Sequence, residues 1–214
     1  MTKNIISEVY NKDCVAGMRE YPDKYFDLAI VDPPYGIGAG SVNFKNGTSK
    51  TAKDYYKIND WDLNIPDAEY FLELFRVSKN QIIWGGNYMT DHLPPSRCWI
   101  FWDKTIHGNS YADGELAWTS FDKVIRYYRQ NICQIEVEGF RIHPTQKAIK
   151  LYDWILLNYA KEGDKILDTH LGSGSSRIAA YRNGFHFVGF ELDKDYYEAQ
   201  EKRFKTELMQ PRLF

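Results

Sequence analysis

Short apolar runs, each stopped by turn-forming residues, alternate along the chain with stretches that repeat at helical spacing. The run at 26–31 (FDLAIV) predicts a buried strand. It stops at Asp32-Pro33-Pro34-Tyr35-Gly36, because two prolines cannot continue a strand interior. From 36 to about 60 the chain is polar, rich in Gly, Ser, Asn and Lys and without periodicity, which predicts a long loop of the kind that is usually functional or disordered. Residues 66–77 place Phe71, Leu74 and Phe75 on one helical face behind Pro66. Strands are predicted at 81–84, stopped by Gly85-Gly86, and at 99–102, 115–118 and 124–129. A helix is predicted after His143-Pro144-Thr145-Gln146-Lys147, reaching Tyr159 with Ile149, Tyr152, Ile155 and Leu156 in its stripe. Then come a strand at 165–168, a glycine loop, a helix at 175–182, a strand at 186–191 and a helix at 195–208. Strand–helix alternation of this kind argues for an α/β fold on a parallel sheet.

Composition bounds the picture. With 214 residues, 43% of them apolar, the chain suits one domain that buries roughly 70% of the surface its unfolded form exposes. It lacks an apolar run of about eighteen residues, so no membrane span is expected. The first ten residues do not have the charged-then-apolar pattern of a signal peptide. Cys14, Cys98 and Cys133 show neither pairing nor metal spacing, and the five histidines do not cluster with them. A reduced, cytoplasmic protein without bound metal is therefore expected. The net charge of −2 means that any nucleic-acid face must be local, since phosphate neutralisation supplies most of that affinity. Candidate phosphate contacts are Lys45, Lys50, Lys53 and Lys57 in the long loop, and Arg126, Arg129 and Arg141, interleaved with Tyr127 and Tyr128. Each group reads equally as a solvated surface. Aromatic residues make up 16% of the chain; most must pack, and a few are candidates to stack on bases.

Two motifs carry chemistry. An exocyclic amino nitrogen on a base is a poor nucleophile, because its lone pair is delocalised into the ring. Asp32 can accept one of its N–H groups and the Pro33 carbonyl the other, with Pro33 and Pro34 holding both acceptors stiffly. Tyr35 can stack on a base drawn out of the duplex. The plainer reading is a rigid turn in which Tyr35 packs. The second motif is Gly172-Ser173-Gly174, between a strand and a helix, followed by Glu191 at the end of the next strand. Glycines there admit a ligand close to the backbone, and the acid can accept ribose hydroxyls. The alternative is a tight turn with an unrelated surface acid. Position 177 is Arg, so the third glycine of a dinucleotide fingerprint is missing.

Asp32-Pro33-Pro34-Tyr35, a variable region, His143 to Lys147 and the glycine loop, in that order, resemble the beta class of amino-methylating DNA methyltransferases. Blocks at 83–88, 102–104 and 115–118 look like phage-borne or prophage-borne members. The resemblance covers nearly the whole chain. It implies a Rossmann-like S-adenosylmethionine-dependent fold: a mostly parallel sheet with one antiparallel strand near an edge and helices on both faces. It further implies a single methyltransferase domain over 1–214, with a short variable, target-recognition insertion within 36–142. Asp32, Pro33, Pro34 and Tyr35 become the catalytic loop. Asp13, Asp32, His143, Thr145, Lys147, Asp168, His170, Gly172, Ser173, Gly174 and Glu191 become cofactor-binding residues, with Lys147 facing the cofactor carboxylate. His143 also reads as a cap with Thr145, and Asp13 as a turn residue. The implied substrate is double-stranded DNA, and related enzymes are often dimers. Asp at position 32 favours adenine N6; cytosine N4, RNA adenine, a protein side-chain amide and a catalytically silent subunit are the alternatives. Two departures stand out: Thr169-His170 where the class commonly has Pro-Phe, and Ala148 where it has a second proline.

Overall fold

The computed structural model describes residues 5–38, 62–106, 108, 112–131 and 141–210. Its strands are β1 (Ser7–Tyr10), β2 (Phe26–Val31), β3 (Ser78–Trp84), β4 (Trp99–Asp103), β5 (Gly114–Thr119), β6 (Arg126–Arg129), β7 (Lys165–Asp168) and β8 (His186–Phe190). Its helices are α1 (Cys14–Met18), α2 (Ala68–Val77), α3 (Ile149–Tyr159), α4 (Ser175–Arg182) and α5 (Lys194–Met209). The strands form one sheet in the order β1-β8-β7-β2-β3-β5-β4-β6. β5 pairs antiparallel with β3 and β4, and the other pairings are parallel. The expected single reversed strand is therefore β5, third from the β6 edge.

Side-chain alternation along the central strands builds a core on each face. Leu28 and Ile30 of β2 join Ile82, Trp84 and Ile166 beneath α3, α4 and Phe204 of α5. Ala29 and Val31 point the other way, with Ile83 and Leu167, against Met18 of α1 and Leu74 of α2. Five of the six β2 residues are buried, the signature of a strand covered on both faces. Each fully buried aliphatic side chain contributes about 1.5–3 kcal/mol.

The predicted elements are present, with shifted ends. The helix expected over 66–77 begins at Ala68, because the Asp67 carboxylate accepts the Tyr70 N–H at 3.1 Å and caps it. β3 starts three residues before the expected Gln81, and β6 two residues after Val124. β1 and α1 were not foreseen. β1 is a half-exposed edge strand of four residues and α1 a helix of five, too short for a periodic signal. Lys45, Lys50, Lys53, Lys57 and Cys133 lie outside the described residues. No helix among the described residues is long and apolar enough to cross a membrane.

β2 and β7 are neighbours, with Leu28 opposite Ile166 and Ala29 opposite Leu167. From β2 the sheet continues to β3, and from β7 it continues in the other direction to β8. That divergence is a topological switch point, where α/β sheets open a crevice beyond the carboxyl ends of their strands. Asp32 follows β2 directly, and the 169–174 loop follows β7.

Candidate active site

The Asp32 loop is held from several directions. The Asp62 carboxylate accepts the Tyr35 N–H at 2.6 Å and the Gly36 N–H at 3.1 Å, fixing the turn after the two prolines. The Tyr35 hydroxyl donates to Asp32 Oδ1 at 2.6 Å and reaches Glu115 Oε2 at 3.3 Å. Its ring stacks on Tyr88, 5.3 Å between centroids and 16° from parallel. Gly85, with φ +67°, makes this contact fit: a Cβ there would overlap the Tyr35 ring. The Lys147 ammonium donates to Asp32 Oδ2 at 2.5 Å and pairs with Glu115 Oε2 at 3.0 Å, while Lys104 pairs with Glu115 Oε1 at 2.5 Å.

These contacts separate the two carboxyls. Burial pushes Asp32 above the ordinary carboxylate range; Lys147 pulls against that rise, and the Glu115 charge adds to it. Burial also pushes Glu115 up, but Lys147 and Lys104 outweigh it and hold Glu115 down at about 2. Burial favours a neutral Lys147, yet the flanking carboxylates carry it above its ordinary value. Glu115 is thus firmly ionised, and Asp32 is the group that takes a proton more readily.

Beside this network lies a cleft of about 540 Å³, lined by residues from the ends of β1, β2, β7 and β8 and from the segment before α3. Gly172 (φ +52°) and Gly174 (φ +72°) carry its floor through a left-handed turn into α4 that side chains rarely adopt. Glu191 Oε2 accepts the Gly172 N–H at 2.7 Å, and its Oε1 accepts the Asp193 N–H at 2.9 Å. Burial pushes this carboxyl up, against the pull of those two bonds. Asp13 lines the cleft, and its Oδ1 accepts the Ala16 N–H at 2.8 Å, capping α1. His143 packs edge-on to Tyr196 at 4.4 Å, and its Nδ1 lies 3.1 Å from the Thr145 hydroxyl. Burial depresses His143 to about 3 and His170 to about 4, so both are neutral imidazoles.

Of the residues singled out in the sequence, Asp13, Asp32, Pro34, His143, Thr145, Lys147, His170, Gly172, Ser173 and Glu191 line this cleft, whereas Pro33, Tyr35, Asp168 and Gly174 do not. The Lys147 ammonium faces Asp32 and Glu115 from the cleft wall. The place expected for Asp168 is corrected. Asp168 sits behind the loop, 2% exposed, accepting the His170 N–H at 3.1 Å and the Ser176 hydroxyl at 2.5 Å. It shapes the cleft from below. The Thr169-His170 departure is absorbed locally: the Thr169 hydroxyl pairs with Tyr70 at 2.8 Å, and the His170 ring packs on Tyr70. Arg126 and Arg129 sit on edge strand β6, apart from the cleft, with Arg129 3.5 Å from Asp103.

Sequence reasoning missed Gln146, Tyr152 and Tyr196 in the cleft wall. Gln146 had a signal, since it lies between Thr145 and Lys147. Its Oε1 accepts the Ile142 N–H at 3.0 Å, and its buried Nε2 has no hydrogen-bond partner among the described residues. Glu115 was missed as a site residue because it comes from β5, far from either motif.

The chain resembles known proteins in sequence and in fold. The Type II methyltransferase M2.MboI of Moraxella bovis is 22% identical over 241 aligned positions, covering 92% of this chain and 86% of that protein. The Type II methyltransferase M2.DpnII of Streptococcus pneumoniae is 43% identical over 65 residues, which are 30% of this chain and 24% of the relative. The crystal structure of the M1.HpyAVI–SAM complex superposes with a TM-score of 0.58 at 18% identity, covering 92% of this chain and 98% of that one. The family model described as DNA methylase, of the N6 and N4 type, matches residues 76–202, more than half of the chain and the span from α2 to α5 that includes the glycine loop; the protein belongs to that DNA methylase family.

Proposed function

We propose that this chain moves a methyl group from S-adenosylmethionine to the exocyclic N6 of an adenine drawn out of double-stranded DNA. The observation that carries the reading is the position of Asp32, at the end of β2 and in the wall of the cleft formed beside the glycine loop of β7. S-adenosylmethionine would supply an electrophilic sulfonium methyl. The cleft volume of about 540 Å³ falls within the usual range for ligand pockets, about 300–1,000 Å³. The donor set suits a nucleoside bearing an amino-acid tail. Asp13 and Glu191 can accept hydroxyl protons, Leu171 and Leu192 give apolar walls, and the unpaired Gln146 Nε2 can donate to a ligand oxygen. Thr145, His143, His170 and Ser173 complete the lining.

Asp32 accepts one N–H of the target amino group. A carboxylate has about four acceptor positions, so its bonds to Tyr35 and Lys147 leave capacity for a substrate. The Pro33 carbonyl takes the other N–H. Once the nitrogen has attacked, it carries a positive charge and must shed a proton. Asp32 is the adjacent acceptor, and its raised carboxyl value makes it a better base than an ordinary aspartate. Tyr88, stacked on Tyr35 and 45% exposed, offers a ring face beside the loop for the extruded base. The family model covers both the N6 and the N4 type; the choice of adenine rests on the resemblance carried by Asp at position 32. We further assign the variable elements within 36–142 to target recognition in a single domain, working alone or as a homodimer.

The test is labelled methyl transfer from S-adenosylmethionine to duplex DNA, RNA and protein in parallel, with nucleoside digestion of any labelled nucleic acid. Label in N6-methyladenine of DNA is expected. Label in N4-methylcytosine corrects the base, and label confined to RNA or protein refutes the reading.

A further inference from the structure

Two sequence blocks without motif chemistry, 102–104 and 115–118, meet at the catalytic acid. Glu115 on β5 lies opposite Trp102 of β4, and Lys104 follows β4 directly. A row of alternating charge results: Lys104 to Glu115 at 2.5 Å, Glu115 to Lys147 at 3.0 Å, Lys147 to Asp32 at 2.5 Å. The side chains of Lys104, Glu115 and Lys147 are 12%, 20% and 3% exposed, so solvent does little to screen them. Tyr35 closes the row, its hydroxyl touching both carboxylates.

We propose that Glu115 and Lys104 are positioning residues for methyl transfer, holding the Lys147 ammonium between two carboxylates so that Asp32 keeps its orientation and acceptor strength. The inference rests on the reading of Asp32 as acceptor for the target amino group. An ammonium with a single anionic partner belongs wholly to that partner, and a carboxylate locked in such a pair is a weaker acceptor. Glu115 draws Lys147 partly away from Asp32. Lys104 limits the pull by neutralising the far oxygen of Glu115. The other groups acting on Asp32 are Tyr35 on its own loop, Tyr152 on α3, Tyr70 on α2 and Asp168 on β7. None of them is a cation, so the balance between Lys147 and Glu115 governs its charge.

The arrangement makes a prediction of opposite sign for two neighbours. In Glu115→Gln, Lys147 settles on Asp32. Single-turnover methylation of unmethylated DNA at saturating S-adenosylmethionine should slow about tenfold, and the acid limb of its pH profile should move down by about one unit. In Lys104→Gln, Glu115 competes harder for Lys147, and the acid limb should move up by about one unit. Methyl-donor affinity should be unchanged in both, because neither residue lines the cleft. Carbon-13 NMR titration of the Asp32 carboxyl in the same variants reads the two shifts without any turnover. Opposed shifts in the two variants support the proposal; shifts of the same sign, or none, overturn it. A wild-type protein that methylates nothing, while the carboxyl titration still moves in opposite directions, defeats the functional reading and leaves the coupling standing.

Discussion

Replacing Lys147 with Met removes the cation from the centre of the site while keeping most of its stem. Lys147 is 4% exposed, and its ammonium is shared between Asp32 and Glu115 at 2.5 and 3.0 Å. Glu115 keeps Lys104, but Asp32 is left with no ion-pair partner among the described residues. Removing one member of a buried pair costs about 3–5 kcal/mol, because the remaining charge is desolvated without compensation. For a chain of this size each kcal/mol moves the melting temperature by roughly 2–4 °C, so a fall of about 10 °C is expected at neutral pH. The pH dependence has a definite sign. Asp32 already sits above its ordinary value through burial, and losing Lys147 raises it further. A carboxyl whose folded value lies above its unfolded value binds its proton more tightly in the native state. Both proteins lose this contribution as pH rises from about 4, the unfolded value, so the variant's deficit grows only from the wild-type folded value to the variant's higher one, and is level beyond it. Thermal melts of both proteins at acidic and neutral pH check this. A protonated Asp32 donates where it should accept, so the acid limb of the methyl-transfer pH profile should move up in the variant. A variant that melts within about 2 °C of wild type at neutral pH would refute the reasoning, as would a deficit that does not change with pH.

Three further substitutions probe separate parts of the account. Gly85→Ala places a Cβ against the Tyr35 ring at a φ of +67°, so it should cost about 1–2 kcal/mol of stability in a melt and slow transfer without weakening methyl-donor binding. Asp168 is raised to about 7 by burial, despite its bonds to Ser176 and His170, so wild-type stability should decline as pH rises from about 4 to 7. Asp168→Asn should flatten that decline and melt no lower than wild type at about pH 8; a lower melting point there would contradict the assignment. Burial, with Asp13 adding to it, pushes the Cys14 thiol up to about 12, so it is no nucleophile near neutrality, and Cys14→Ser should retain transfer. A folded but inactive serine variant would point to covalent catalysis.

The sequence exposed the parts of this fold in which local pattern and tertiary role coincide. β2 and β7 read as strands because burial on both faces gives them adjacent apolar residues, Leu28 to Val31 and Ile166-Leu167, and the prolines and glycines that follow mark the two loops of the site. β1 escaped notice because an edge strand of four residues buries only alternate side chains partially. Glu115 escaped for a different reason. Its importance arises only when the reversed strand β5 brings it against Lys147 from the segment before α3, and no local spacing encodes that meeting. The contact of Lys147 with Glu115 went unforeseen on the same ground, since the sequence does not show that a carboxylate from another strand stands beside it. Asp168 shows that a motif acid can shape a cleft without lining it.

The central claim is that Asp32 receives the target amino group beside a methyl-donor cleft. Incubating wild type and Asp32→Ala with labelled S-adenosylmethionine and unmethylated duplex DNA, with donor binding measured in both, tests it most directly. The account predicts label in N6-methyladenine for wild type, its loss in the variant, and donor affinity within a few fold between the two. Undiminished transfer by Asp32→Ala would contradict it.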